Sequence, residues 1–443
     1  MRIYIILWMI ALPFMAMAQG IHFEKGTFDE ALGKAKAENK LLFVDGYAVW
    51  CSPCLAMANT VFKDEEVGKY FDEYLVAIKV DVEKGEGPAI SKRYGIVGLP
   101  GYVFIDGDGL VVYRFSSSMP AADFMREVKL AVSYADDPNS VGRLGERYKV
   151  EKSDTALVKL YLDKLKESKS TGYTNVLEHY LSVQTTMADS SKEMVVFLAD
   201  HYREIILGGE AERITRDNYG SDAWKLYVRK DIREVYQRLE HGIVENTIRY
   251  ATENRDTVML ELALQREEEI NAGKGMKTNP SQRRRVYARY YLETNMGEKY
   301  KALVRDENEA FINQLNAEEL RSGYLDWQKR KAAGEEKAQY TRPHSIRTSL
   351  QIQNMVKNYG RFVTTGQEKQ DVLRWAKRGY DIIPGDPAMM SVYADLLYLF
   401  DNREAGLKEK EEAFRIASER QYEGRWKIEQ NLELMRKGEH ISL

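Results

Sequence analysis

Two cysteines in a chain of 443 residues, spaced as Cys51-Ser52-Pro53-Cys54, constrain this sequence more than any other feature. A bridge between them closes a loop too small to restrict an unfolded chain much, so it adds little stability. The pair is better explained by chemistry: a first sulfur that is exposed and readily ionised, and a second that attacks after it. Both conditions follow if Cys51 lies where a strand ends and a helix begins. Leu41-Leu42-Phe43-Val44, just upstream, is an apolar run short enough to be a buried strand. Pro53 suits the first turn of a helix, which does not need the missing N–H. Unpaired amides and the positive dipole end at that terminus favour a thiolate on Cys51. Cys54, one turn deeper, is expected to be shielded and to act second.

Around the pair, from Ile21 to Ala135, strand-like and helix-like periods alternate. Thr27-Phe28-Asp29-Glu30 has the form of a capping box, opening a helix with Phe28, Ala31, Leu32 and Ala35 on one face. Asp64 can cap a second helix with Val67, Tyr70, Phe71 and Tyr74 inward. Leu75 to Val82 and Gly101 to Ile105 are strand candidates, and Asp106-Gly107-Asp108-Gly109 is turn chemistry leading to a hairpin partner at Leu110 to Phe115. Pro120 is placed for the first turn of a closing helix through Val132. This order predicts an α/β domain with a mixed central sheet and helices on both faces. From Asp136 onward strand patterns vanish and helical periods dominate, as in Leu157, Leu160, Tyr161 and Leu165, predicting an all-α region of helix pairs. The expected domains are 19–135 and 136–443, with a possible subdivision near 271–280. Within 371–420, Tyr380, Ala394, Tyr398, Ala413 and Phe414, with Pro384, resemble one tetratricopeptide unit. One unit is short of the three needed to stack a solenoid, so an irregular helical domain is the alternative.

Arg2, the apolar stretch Ile3 to Phe14 and Ala16-Met17-Ala18 read as a signal peptide over 1–18, with Gln19 as the new N-terminus. The alternative is an uncleaved anchor. No later stretch approaches the ~20 apolar residues of a membrane span, so no membrane-spanning segment is expected after cleavage. The formal charge of −3 offers no general pull toward nucleic acid. A structural zinc site needs four ligands, and the six histidines are scattered without ligand spacing; no metal and no cofactor is expected. His201, on an apolar helical face, reads as a satisfied core or boundary residue. Arg283-Arg284-Arg285 reads as a solvated helix start, the alternative being a patch for an acidic partner.

Two more residues stand near the pair. Trp50 can cover one side of the active sulfur and form a docking surface, or be core filler. Asp45 follows the apolar run, either buried with a raised pKa that lets it take the proton of Cys54, or exposed at the strand end.

The segment Val44-Asp45-Gly46-Tyr47-Ala48-Val49-Trp50-Cys51-Ser52-Pro53-Cys54 resembles the active-site segment of the thioredoxin family. Tyr94-Gly95-Ile96-Val97-Gly98-Leu99-Pro100-Gly101 resembles that family's segment around its cis-proline. Thr60-Val61-Phe62 with Asp64-Glu65-Glu66-Val67 is closer to the subgroup that includes the periplasmic thioredoxin-like domain of the transmembrane thiol:disulfide interchange protein. The resemblance spans Phe23 to Val132. It implies Cys51 as nucleophile, Cys54 as resolving thiol, Asp45 as buried acid with Lys79 near it, Pro100 as the cis-proline, and Leu99 as the backbone that pairs with substrate. Gly46, Gly101 and the insertion Gly85-Glu86-Gly87 depart from the family pattern.

The expected function is an exported, periplasmic thiol:disulfide oxidoreductase that reduces disulfide-bearing client proteins. The helical domain would dock clients or a membrane thiol:disulfide electron donor. The alternative is a helical-repeat scaffold or chaperone-like module carrying the redox pair as a switch.

Overall fold

The computed structural model describes residues 20–48, 51–96, 98–168, 170–218, 230–276, 279–422, 424–438 and 441. The chain packs as two compact units, divided between Val235 and Tyr236.

The first unit is built on a five-stranded sheet in the order β1-β3-β2-β4-β5. Its strands are β1 (Phe23–Glu24), β2 (Leu41–Tyr47), β3 (Leu75–Asp81), β4 (Gly101–Ile105) and β5 (Val111–Ser116). β1 and β2 run parallel to β3, β4 is antiparallel to β2, and β5 is antiparallel to β4. Helices α1 (Phe28–Ala37), α2 (Ser52–Asn59), α3 (Glu65–Tyr74), α4 (Gly87–Tyr94) and α5 (Ala121–Ser133) complete the α/β part. β2 is apolar along most of its length because it is covered on both faces. Alternation along the strand sends Phe43 into one core with Phe71, Tyr102, Phe104 and Phe124. Leu42 and Val44 enter the other, with Phe28, Ile78, Ile90 and Tyr94.

The expected capping box forms: Thr27 N donates to Glu30 Oε2 at 2.8 Å and Glu30 N to Thr27 Oγ1 at 3.3 Å. Asp64 caps α3 as its spacing predicts, accepting from Glu66 N and Val67 N. The inward face of α3 is narrower than expected, with Tyr74 39% exposed and its ring paired with Tyr70 instead of the core. β1 is too short to leave a period in sequence. α4 was also not anticipated, because it starts inside the glycine-rich Gly85-Glu86-Gly87 segment. That segment joins two helices. The Glu86 carboxylate accepts from Phe28 N at 2.7 Å and so ties the start of α1 to the start of α4. Pro120 stands just before α5 at its N-cap rather than inside the first turn.

Further helices among the described residues of this unit include α6 (Val141–Val150), α7 (Thr155–Glu167), α8 (Tyr173–Val183), α9 (Lys192–Asp200) and α10 (Glu210–Asn218). α6 presses on the hairpin closely enough that a Cβ at Gly142 would lie 2.7 Å from Val111 N and 2.8 Å from Val111 O. On α7 the buried stripe is Leu157, Val158, Leu162 and Leu165, while Leu160 is 37% exposed. The expected stripe was therefore partly misplaced, since the sequence offers apolar residues on more than one face.

The remaining described elements are helical: α11 (Lys230–Asn254), α12 (Thr257–Gly273), α13 (Pro280–Glu293), α14 (Gly297–Gln314), α15 (Ala317–Ala332), α16 (Glu336–Tyr340), α17 (His344–Gly360), α18 (Gly366–Ile382), α19 (Pro387–Phe400), α20 (Arg403–Glu419) and α21 (Arg425–Arg436). The second unit has its own core around Trp375, Tyr359, Ile352, Val372 and Leu396. The repeat-like stretch is three helices, α18 to α20, with α18 starting earlier than expected because Thr365 and Glu368 form a capping box. Lys410 of α20 is fully buried and satisfied, donating to Ser391 Oγ at 2.6 Å and Asp395 Oδ1 at 2.7 Å.

The candidate redox site

β2 delivers the chain to the N-terminus of α2, where Cys51 is the N-cap and Pro53 lies in the first turn. Cys51 and Cys54 are joined in a disulfide. Cys51 Sγ accepts from Cys54 N at 3.1 Å, so an otherwise unpaired helix-terminal amide points at the first sulfur. Such an amide and the helix dipole stabilise negative charge on that atom once the bond is reduced. The expectation of an open Cys51 and a shielded Cys54 differs from the structure: the residues are 3% and 6% exposed. In the disulfide both sit in one small apolar cluster with Ala48, flanked by Tyr47, Val82 and Leu99. Trp50 lies outside the described residues.

Leu99 reaches this cluster from the segment between α4 and β4. The Leu99–Pro100 bond is cis, and Pro100 is buried. Ser116 Oγ of β5 donates to the Pro100 carbonyl at 2.8 Å. This support went unseen in the sequence, where Ser116 is one of three consecutive serines.

Asp45, on β2, is 2% exposed. Its register partners are Lys79 on β3 and Tyr102 on β4. Burial pushes the carboxyl up to about 6, against the pull of Lys79, whose Nζ lies 3.5 Å from Oδ2. The carboxyl is therefore buried and not exposed at the strand end. The Lys79 ammonium lies 4.8 Å from the Phe23 ring centroid and 5.3 Å from that of Phe62. These rings offer the ammonium favourable cation–π contacts.

The two glycines that depart from the family pattern are register partners, Gly46 on β2 and Gly101 on β4. Ile96 occupies the space beside both: a Cβ at Gly46 would lie 2.9 Å from Ile96 Cδ1, and one at Gly101 would lie 2.7 Å from Ile96 Cγ2. One large side chain thus fills the room that two smaller ones would otherwise take.

Elsewhere, no group of three or more His, Cys, Asp or Glu with metal-binding geometry occurs among the described residues. His201 is buried, its Nδ1 2.6 Å from Phe197 O, its ring stacked on Phe197. Arg283 pairs with Glu261 and Glu268, and Arg284 with Glu307, so acids of the chain itself meet two of the three arginines. No helix among the described residues is long and apolar enough to cross a membrane.

Known proteins are similar to this chain over its α/β part. A family model described as a thioredoxin-like domain matches residues 28–131. A thioredoxin-like protein of Synechocystis, slr0233, is 33% identical over 93 residues, covering 21% of this chain and 83% of that protein. Chloroplastic thioredoxin Y of Oryza sativa is 31% identical over 109 residues, 25% of this chain and 60% of its own length. The thiol:disulfide interchange protein DsbD of Yersinia pestis is 28% identical over 98 residues, 21% of this chain and 16% of that protein. Among solved structures, a candidate disulphide-isomerase from Bacteroides thetaiotaomicron is 44% identical, covering 26% of this chain and 97% of that one with a TM-score of 0.25. The chain belongs to the thioredoxin-like family. It spans about 60% of the length of the first curated relatives it matches.

Proposed function

We propose that this chain is an exported thiol:disulfide oxidoreductase that reduces disulfides of client proteins. One observation carries the reading: the only two cysteines are paired at the start of a helix, against Leu99 and shortly after a β2 strand that holds a buried acid. In the dithiol form the Cys51 thiolate attacks a client disulfide, forming a mixed disulfide and releasing one client thiol. Cys54 then attacks Cys51 Sγ, which releases the second client thiol and leaves the Cys51–Cys54 disulfide. Asp45, titrating near pH 6, takes the proton of Cys54 in that second step. Leu99 and Pro100 form the docking edge for an extended client segment, and Trp50, next to Cys51 in the sequence, contributes to client binding. Each turnover consumes two electrons, so a membrane thiol:disulfide donor must return the pair to its reduced state.

Export is supported by the pattern of Arg2 to Gln19, which lies outside the described residues. We assign the redox chemistry to residues 19–135, after a signal peptide at 1–18, and client or donor docking to the helical residues 136–443.

Insulin reduction by the purified full-length protein tests the reading. Cys51→Ser is expected to abolish turnover, a loss of at least about a hundredfold, while leaving the unfolding transition in place. Wild-type protein that turns over no faster than Cys51→Ser refutes it.

A further inference from the structure

Two side chains of β5 hold the two ends of the segment that brings Leu99 and Pro100 to the disulfide. Arg114 and Ser116 are two residues apart and so project from the same side of the strand. Arg114 Nη1 donates to the carbonyls of Tyr94 at 3.1 Å and Gly95 at 3.3 Å, the C-terminal carbonyls of α4. Those carbonyls have no partner within the helix and lie at its negative dipole end, so a guanidinium satisfies them on both counts. At the other end, Ser116 Oγ donates to the Pro100 carbonyl at 2.8 Å. Between the two, Ser91 Oγ donates to the Ile96 carbonyl at 2.9 Å.

The helical extension stands behind this arrangement. Gly95 is left-handed, at φ 64°, and a Cβ there would lie 3.1 Å from Thr171 Oγ1 in the turn between α7 and α8. At Gly95 the segment therefore comes close to a residue from beyond the α/β fold.

We propose that Arg114 and Ser116 are positioning residues that hold the Leu99–Pro100 segment ready for a client strand. The assignment rests on the oxidoreductase reading above. A segment held in place need not be ordered when the client binds, so its support shows in client affinity and not in sulfur chemistry. Small disulfides, which make no backbone contact with Leu99, should be indifferent to it.

The test compares full-length wild type, Arg114→Met, Arg114→Lys and Ser116→Ala on insulin and on a small aromatic disulfide. Arg114→Met keeps the apolar stem and removes the donors. It is expected to raise KM for insulin about tenfold with kcat within about twofold, and Ser116→Ala to raise KM about threefold. Both should leave the small-disulfide rate and the pH profile of Cys51 alkylation unchanged, and Arg114→Lys should recover most of the insulin KM. If Arg114→Met does not fold, Ser116→Ala decides alone. Unchanged KM, or equal losses on both substrates, in a protein whose wild type turns over overturns this assignment only. Wild-type turnover no better than that of Cys51→Ser overturns the oxidoreductase reading and this assignment with it.

Discussion

Burial shifts Asp45 and His201 in opposite directions. The buried Asp45 carboxyl is pushed up to about 6, whereas an unfolded aspartate titrates near about 3.9. The folded protein therefore holds that proton more tightly. Asp45's stabilising share is full below about pH 4 and is lost as pH rises through about 6, on the order of 2–3 kcal/mol. Burial drives His201 the other way, to about 4. Its share is present above an unfolded value of about 6.5 and is lost as pH falls through the folded value. The two largely offset one another in mild acid. Asp45→Asn removes the first and leaves the second, so urea unfolding of the variant should weaken more steeply than wild type between pH 6 and 4. At pH 7 the variant should be the more stable by about 2 kcal/mol, since no buried charge remains. Parallel pH slopes for the two proteins would show that Asp45 does not titrate as described.

β2 and β4 pair closely at two facing glycines. Gly46, Gly101 and Ile96 share one volume, so a methyl group added at Gly46 must displace Ile96. Gly46→Ala should destabilise the protein by about 1–3 kcal/mol, and Ile96→Ala in the same chain should recover at least half of that loss. Additive effects in this double-mutant cycle would mean the side chains do not compete. The strand–helix junction at Cys51, the hairpin at Asp106 to Gly109 and the caps at Thr27 and Asp64 were legible because each is written within a few neighbouring residues. Glu86, Arg114 and Ser116 were not. Their partners lie 58, 20 and 16 residues away, and no local period links a polar side chain to a distant carbonyl or amide. The acid at 45 was legible in position only; its burial depends on strands brought in from far along the chain, β3 and β4 with its register partners Lys79 and Tyr102.

For the molecule as a whole, the helices after Ser133 are part of how the sheet is finished. β5 is an edge strand, and α6 lies against it with Gly142 close to the backbone of Val111. Arg143 extends the contact, its Nη2 3.1 Å from Asp106 Oδ2 at the hairpin turn. Uncovered edges pair readily with other chains. A fragment of residues 20–135 is therefore expected to self-associate in light scattering and to unfold at lower urea than one of residues 20–218. Equal stability and a monomeric shorter fragment would show that α6 is dispensable to the sheet.

The bridge at the head of α2 accounts for every cysteine in the chain. A molecule so equipped stores one electron pair and no second. It has no mismatched cross-link to fall into while it folds, and no internal thiol to which the pair could leak. Whatever it receives must leave through the same turn of helix by which it entered.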